Sequence, residues 1–290
     1  MIMKLEQGIY IGLGMTEYHA WHLDKANLKA GPVSSSMLKQ FALNPYAWLR
    51  SEDKPPTAAM QTGSLLDAAL TEPETLADRV AINPFDSYRT KESREWRDEQ
   101  LDAGRIICAE SELENATKCA DAVREHEVAG QILSGAQFQV GAVADFGCIP
   151  VKCLVDIVPG LGSEWEETLV DYKTTAGGLD DEAIRKTMGN FRYHFQAAFY
   201  RSVYNKASAD RVCDDFAFIF QDPQTREVRV VKLARESLAL GTRSVKHALT
   251  EFAKAAERGI RSRYAKSATE LDLMPYHSMN EEEYLINNGH

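Results

Sequence analysis

The period of the hydrophobic pattern changes near residue 138 of this 290-residue chain, and this change constrains the fold more than any other feature. Before it, apolar residues recur at helical spacing, as in AESELENATKCADAVREHEVAGQIL (109–133). After it, FQVGAVADFGCIPVKCLVDIV (138–158) and TLVDYKT (168–174) are typical of buried strands. Helical and strand-like stretches then alternate to about residue 262. The order favours one α/β domain in which a helical part precedes a sheet.

We predict a single domain over residues 1–265, mainly helical at about 32–135 and built around a sheet at 136–265. Residues 266–290 form an acidic tail whose composition favours disorder. With 44% hydrophobic and 26% charged residues, the chain has the balance of a globular protein with a sizeable core.

Composition also limits the classes of function. The chain has no apolar run of 18 residues and no signal-like N-terminus, which predicts a cytoplasmic protein without a membrane partner. Its five cysteines form no CxxC pair and do not supply a four-thiolate iron–sulfur site, so reduced thiols are expected. The net charge of −10 disfavours a nucleic-acid partner unless bound cations offset a carboxylate cluster.

The strand LVDYKTT carries the strongest chemical signal. Asp171 and Lys173 point to the same face of this strand, roughly 7 Å apart. The short loop 159–167 favours antiparallel pairing with the preceding strand, which would bring Asp156 beside Asp171. Two carboxylates away from water repel each other unless a cation lies between them, and Mg²⁺ fits such a site, with the backbone carbonyl of Tyr172 as a further ligand. Lys173 would then orient or deprotonate a metal-bound water.

The alternative is an ion-pair ladder on a solvated face, because DxK triplets are common by chance. Leu154, Val155 and Ile157 on one strand, with Leu169 and Val170 on the other, make the surroundings apolar and favour a buried site.

An aspartate near the end of one strand followed by DxK on the next resembles the signature of PD-(D/E)xK nucleases. Four stretches also resemble, in the same order, motifs of the RecE-type exonucleases (exodeoxyribonuclease VIII) of phages and prophages. They are SSSMLKQFALNPYAWL, TGSLLDAALTEPE, VDYKTT and YHFQAAFY, and the resemblance covers about residues 32–265. It implies a PD-(D/E)xK nuclease core, an α/β fold with a central mixed sheet flanked by helices, plus an N-terminal helical layer.

The resemblance also implies an activity. Family members are Mg²⁺-dependent exodeoxyribonucleases, with Mn²⁺ as an alternative and two ions in the site. They degrade the 5′ strand of linear double-stranded DNA and leave 3′ single-stranded tails for recombination by annealing. A homo-oligomeric ring around the DNA and a single-strand annealing protein as partner are implied too.

Carried over to this chain, the motifs make Asp156 and Asp171 metal ligands and Lys173 the catalytic lysine. Gln196 and Tyr200 would face the site from a helix, where their i, i+4 spacing places them on one side. Ordinary helix packing is the alternative for this pair, and for Tyr200 in particular.

Asp67 stands where the family usually has histidine. A carboxylate binds Mg²⁺ at least as naturally as imidazole, so Asp67 is expected to act as a ligand. The alternative is a site that has lost its outer metal, in a weakened or inactive nuclease.

Basic residues near the motifs are candidate DNA contacts, although charge runs are more often solvated helix faces. These candidates are Arg89, Lys91, Arg94, Arg185, Arg192 and His194. Two other functions remain open: a DNA clamp or recombination scaffold that has lost turnover, and a nuclease of different polarity or substrate.

Overall fold

A six-stranded mixed sheet forms the centre of the protein, in a computed structural model that describes residues 6–52, 56–262, 268 and 270–287. The strand order is β1-β4-β5-β6-β7-β8, antiparallel throughout except for the parallel pair β6 and β7. Its strands are β1 (Gly8–Tyr10), β4 (Gln137–Phe146), β5 (Ile149–Val158), β6 (Thr168–Thr174), β7 (Asp215–Gln221) and β8 (Val228–Lys232). A separate parallel pair consists of β2 (Val80–Ile82) and β3 (Ile106–Cys108).

Helices cover both faces of this sheet. Those before the sheet are α1 (Met15–Ala20), α2 (Ser35–Leu43), α3 (Pro45–Arg50), α4 (Ala58–Thr71), α5 (Leu76–Arg79), α6 (Lys91–Asp102), α7 (Glu110–Glu125) and α8 (Glu127–Leu133). Those after its first strands are α9 (Asp181–Asn190), α10 (Tyr193–Ala207), α11 (Arg235–Arg258) and α12 (Pro275–Asn287). The predicted α/β class, with a mixed sheet flanked by helices, is confirmed.

Two hydrophobic cores lie on opposite faces of the sheet. The α10 core packs α2, α10 and α11 against the sheet and includes Phe41, Phe199 and Phe252. The α4 core packs α4, α7 and α8 against the other face and includes Leu66 and Val123. The sheet edge at β1 and β4 carries a third, smaller cluster with α1.

The helix pair α2–α3 shows how local sequence sets local structure. The Ser34 side chain accepts a hydrogen bond from the Met37 amide and caps α2. Asn44 ends α2 and caps α3 through the Ala47 amide, while Pro45 occupies the first turn, where its missing N–H costs nothing. Asn44 and Pro45 thus divide the segment into two helices.

Some elements differ from the sequence expectation. α4 begins at Ala58, capped by Thr57, four residues before the motif TGSLLDAALTEPE. The long helix expected over 109–134 is divided at His126, whose ring accepts a hydrogen bond from the Ala129 amide and starts α8. The strand β1 pairs with β4, so residues with no clear sequence signal extend the sheet.

The C-terminal tail contains α12, a helix with no buried residue among those described. The expected boundary between residues 265 and 266 lies outside the described residues. Within the described ranges, none of the helices has the length and apolarity needed to span a bilayer.

Candidate active site

Strands β5 and β6 lie side by side and separate at the candidate site. The expected antiparallel pairing is confirmed, with Ile157 opposite Val170. Past this pair, Asp156 Oδ2 accepts a hydrogen bond of 3.0 Å from the Tyr172 amide. A side chain therefore replaces the next backbone bond of the ladder. Because the N–H and C=O of one strand residue point to the same side, the Tyr172 carbonyl also points towards β5.

A backbone distortion in β4 lies opposite Asp156. Gln139 has a φ of 49°, in the left-handed region that non-glycine residues rarely adopt, and the β4–β5 register has no pair at Gln139 and Asp156. Phe138 packs on the α4 core and Val140 lies in the α10 core, although strict alternation would place them on one face. The distortion thus changes which face the strand side chains meet at the level of Asp156.

Asp171 lies on the face of β6 that meets α10. Its side chain is 1% exposed, and its Oδ1 accepts a 2.8 Å hydrogen bond from the Gln196 amide nitrogen. Its Oδ2 forms an ion pair with the Lys173 ammonium, as their shared face requires. Asp171, Lys173 and Gln196, three of the residues selected from sequence, are therefore in direct contact.

Helix α4 brings Asp67 to the same place from the other face of the sheet. Gly63 lies one helical turn earlier on the same side of α4, and a Cβ there would be 3.9 Å from the Thr174 hydroxyl. Because α4 lies close to the end of β6 at Gly63, Asp67 one turn later lies near the gap between β5 and β6. Asp67 Oδ2 accepts a 3.1 Å hydrogen bond from the Gln139 side chain.

Gln139 was not selected from sequence. It is 2% exposed, and its amide nitrogen donates to both Asp67 Oδ2 and the Thr71 hydroxyl, at 3.1 and 2.9 Å. It orients the carboxylate of Asp67. Its one signal in the sequence is a glutamine within an apolar strand, which is too common to single out a site.

Burial and mutual repulsion perturb the carboxyl groups. The pKa of Asp67 is raised to about 6, mainly by burial; Lys173 opposes this rise and the neighbouring Asp171 contributes to it. The pKa of Asp156 lies well above its usual range because of burial, then because of Asp171 and Asp67. The three acids therefore share one electrostatic environment.

Lys173 holds its proton in this environment. Burial on its own would lower the pKa of the ammonium, but Asp171 and Asp156 outweigh burial and raise it above the ordinary value. The Lys173 ammonium also lies 5.6 Å from the centre of the Tyr193 ring. A cation held among acids is suited to binding a phosphate oxygen.

The two tyrosines selected from sequence have different surroundings. Tyr200 packs edge-on against Phe216 at 6.4 Å, and burial raises its pKa, with smaller contributions from Tyr18, Asp171 and Asp156. It packs against the α10 core and lies within electrostatic reach of the carboxylates, and its role in the site stays a prediction. The Tyr172 side chain lies in the α4 core, and its hydroxyl donates to Gln221.

The chemistry of the site fits a divalent cation. Within the described ranges, Asp67 Oδ1 is buried without a hydrogen-bond partner, and carboxylate and carbonyl oxygens are the ligands that Mg²⁺ prefers. As the side chains stand, the described residues include no group of three His, Cys, Asp or Glu close enough to hold a metal. Asp171 instead binds Lys173 and Gln196, and Asp156 binds the Tyr172 amide.

The candidate DNA contacts lie in two regions. Arg192 and His194 lie at the start of α10, beside the site, and the charge of Arg192 contributes to lowering the pKa of His194 after burial. On α9, Arg185 forms an ion pair with Asp181.

The second region is the start of α6. Lys91 pairs with Glu95 at 3.5 Å, and the Arg94 guanidinium donates to the Arg89 carbonyl at 3.2 Å. None of these contacts between described residues involves the carboxylate site.

Comparison with known proteins agrees with this geometry. Residues 34–270 match the family described as the PDDEXK-like domain of unknown function (DUF3799). A solved structure from Eubacterium rectale, described as a "Putative exonuclease", is 15% identical with a TM-score of 0.55, covering 93% of this chain and 98% of that one. At this identity the likeness shows the fold. No curated protein sequence matches the chain.

Two further solved structures are less similar. The protein SSO0001 is 11% identical with a TM-score of 0.28, covering 79% of this chain and 88% of that one. Rai1 from Candida albicans, in complex with pU5 and Mn²⁺, is 9% identical with a TM-score of 0.29, covering 86% of this chain and 75% of that one. Scores this low support no inference about this chain.

The family match covers most of the chain and includes the two strands and the two helices that carry the site. The chain belongs to the family of PDDEXK-like domains of unknown function (DUF3799).

Proposed function

We propose that this protein is a metal-dependent exodeoxyribonuclease acting on linear double-stranded DNA. The observation that carries the proposal is the convergence of three carboxyl groups, Asp67, Asp156 and Asp171, with a protonated Lys173 where β5 and β6 separate. Membership of a PDDEXK-like family supports it. The fold shared with the Eubacterium rectale protein, described as a "Putative exonuclease", agrees with a nuclease, and the choice of exonuclease follows the resemblance to RecE-type exonucleases.

Asp67, Asp156, Asp171 and the Tyr172 carbonyl would hold the metal, which we propose is Mg²⁺ or Mn²⁺, as two ions. When bound, such ions activate a water molecule and neutralise charge on the phosphate that it attacks. The raised pKa values of Asp67 and Asp156 reflect burial and repulsion, which a cation among these groups would offset.

The protein's own residues position the reacting groups. The Lys173 ammonium stays protonated and can donate a hydrogen bond to a phosphate oxygen or to the attacking water. Gln196 fixes one oxygen of Asp171, and Gln139 fixes one oxygen of Asp67. Tyr200 limits the space on the α10 side, with its hydroxyl kept protonated by burial.

The finer features follow from the resemblance to RecE-type exonucleases of phages and prophages. We propose that the enzyme degrades the 5′ strand and leaves 3′ tails for an annealing protein. A homo-oligomeric ring and a cytoplasmic location belong to the same proposal.

A DNA clamp with weakened catalysis is the second candidate. It is favoured by the presence of Asp67 in place of the family histidine, and by the lack of a closed three-ligand group among the described side chains. A nuclease of different polarity or substrate is a variant of the first candidate.

Linear duplex DNA labelled at the 5′ or at the 3′ end, incubated with Mg²⁺ or with EDTA, separates these functions. We expect rapid release of 5′-labelled mononucleotide that requires Mg²⁺, with release of the 3′ label delayed. Asp171→Ala should abolish hydrolysis, and the exposed Asp145→Ala is the matched control. Full activity of Asp171→Ala would contradict the mechanism, and tight binding without hydrolysis by the wild type would favour the clamp.

A further inference from the structure

An exposed aromatic ring lies at the turn between α9 and α10. Phe191 is 60% exposed. Its ring stacks on Tyr193 at 5.7 Å with an angle of 20°, and Tyr193 stacks on the buried Phe218 at 5.4 Å. Because Tyr193 covers one side of the Phe191 ring, its exposed area is on the other side. The ring is thus the outer member of a stack that begins in the core.

The next residue has an unusual backbone. Arg192 adopts φ 53° and ψ 48°, a left-handed conformation that is unfavourable for a residue with a Cβ. Its guanidinium carbon lies 4.8 Å from the centre of the Phe195 ring. Arg192 is also the residue that precedes α10, so its charge lies at the end of the helix that favours anions. Strain of this kind, where it persists, points to a functional use.

Lys39 of α2 meets the same turn. Its ammonium lies 3.4 Å from the Phe191 carbonyl oxygen, in weak hydrogen-bond contact. The pKa of Lys39 is lowered to about 8, mainly by burial and then by Lys173 and Arg192, while Asp171 opposes them. Lys39 is therefore within electrostatic reach of both the carboxylate site and Arg192.

The positive charges of this turn are not held in ion pairs by the described residues. In the parts of the chain that the structure describes, no carboxylate forms an ion pair with Lys39 or Arg192. Buried or crowded cations without a carboxylate partner are suited to an anionic ligand. The same turn thus offers a stacking surface and two cations to one ligand.

We propose that Phe191, Arg192 and Lys39 form a nucleotide-binding subsite beside the carboxylate site, where a base stacks on Phe191 while Lys39 and Arg192 bind its phosphate. The subsite rests on the proposed function and deepens it. A base can stack on Phe191 only when it has left its own neighbours in the duplex, so the ligand is an unpaired nucleotide at the end of the DNA. Stacking of this kind accepts any base.

Binding of a DNA duplex with 2-aminopurine at one terminal position, measured in EDTA so that no hydrolysis occurs, tests the subsite. The probe is placed at the 5′ end and, separately, at the 3′ end. The wild type should change the emission of one of the two probes. Phe191→Ala should remove this change and weaken binding about tenfold, whereas Phe191→Tyr should retain both. Tyr276→Ala removes a similarly exposed aromatic on α12 and should have no effect.

The cations are tested by the salt dependence of binding. Lys39→Gln should weaken binding and reduce the slope of log affinity against log salt concentration by about one, since one phosphate contact is lost. Lys29→Gln, at an exposed lysine before α2, is the control and should leave the slope unchanged.

The outcomes separate the subsite from the proposed function. If the wild type hydrolyses DNA and Phe191→Ala binds and emits as the wild type does, the subsite is wrong. If Phe191→Ala changes only the oligomeric state, the exposed ring is an interface between copies and the subsite is wrong. If the wild type changes the probe emission and never hydrolyses DNA, the subsite stands and the exonuclease proposal fails. Phe191→Leu replaces Phe191→Ala if the alanine variant does not fold.

Discussion

Two lysines on adjacent strands are both largely buried, but their neighbours differ in charge. Lys152 on β5 is 2% exposed, and its ammonium donates to the backbone carbonyls of Tyr18, at 2.5 Å, and Trp21. It also lies 4.1 Å from the centre of the Tyr18 ring. Lys173 on β6 instead forms an ion pair with Asp171.

The pKa values of the two lysines shift in opposite directions. Burial lowers the pKa of Lys152 to about 8, whereas the carboxylates around Lys173 raise its pKa despite burial. Lys152 ties the N-terminal segment around α1 to the sheet. Lys173 contributes charge to a site that is otherwise acidic. Burial alone therefore does not single out a lysine as a candidate catalytic group, whereas neighbouring carboxylates do.

The largest expected contrast between the two lysines is in hydrolysis of DNA. Lys173→Met should reduce the rate about a thousandfold, about 4 kcal/mol of activation free energy, because a donor to the developing charge is lost. Lys152→Met should retain the rate of the wild type, since the Lys152 ammonium, among the described residues, contacts two backbone carbonyls and the Tyr18 ring. Equal losses in both variants, with circular dichroism showing both folded, would remove the distinction.

The pH dependence of stability should sharpen the contrast. Because the pKa of Lys152 falls from 10.5 to about 8 on folding, the unfolded chain binds more protons than the folded chain between these values. The free energy of unfolding therefore rises with pH across this window, by up to about 3 kcal/mol, whereas below it the cost of burying the charged Lys152 is fully present and does not change with pH. The free energy of unfolding of the wild type minus that of Lys152→Met, each measured by urea unfolding at a series of pH values, should show this rise. If the free energies of unfolding of the two proteins change in parallel with pH from 7 to 10.5, the burial of a charged Lys152 is contradicted.

The smallest expected effect concerns Gln196, which holds Asp171, the ion-pair partner of Lys173. Gln196→Ala removes the hydrogen bond to Asp171 Oδ1 and should weaken the apparent affinity for Mg²⁺ by about 10- to 100-fold, with the fold intact. Titration of activity with Mg²⁺ measures this shift. The exposed Gln224→Ala, in the β7–β8 turn, is the control. An unchanged Mg²⁺ requirement in Gln196→Ala would assign Gln196 to packing alone.

Much of the central site could be predicted from local sequence. Strand alternation placed Asp171 and Lys173 on one face, and the short loop after Asp156 predicted its neighbouring antiparallel strand. These relations depend on residues close in the chain, so period and loop length are enough. That Gln196 faces the site was expected only from the resemblance, because its helix lies some distance along the chain, and its contact with Asp171 was not predicted.

Other parts of the site had no readable signal. Gln139 orients Asp67 across 72 positions of sequence, through a strand residue in a left-handed conformation. Lys39 reaches the Phe191 turn across 152 positions. Neither relation follows from propensity or periodicity, because each depends on how two cores place α4 and α2 against the sheet.

The sequence by itself determined the α/β class, the strand that carries Asp171 and Lys173, and the helix that carries Gln196. Periodicity and turn residues encode these features locally. Tertiary structure decided that β5 and β6 separate at Asp156, that Asp67 enters from the opposite face, and that one buried lysine meets carboxylates while the other meets carbonyls. Those outcomes depend on packing between distant segments, and the free energy of a buried charge is set by the neighbours that packing supplies.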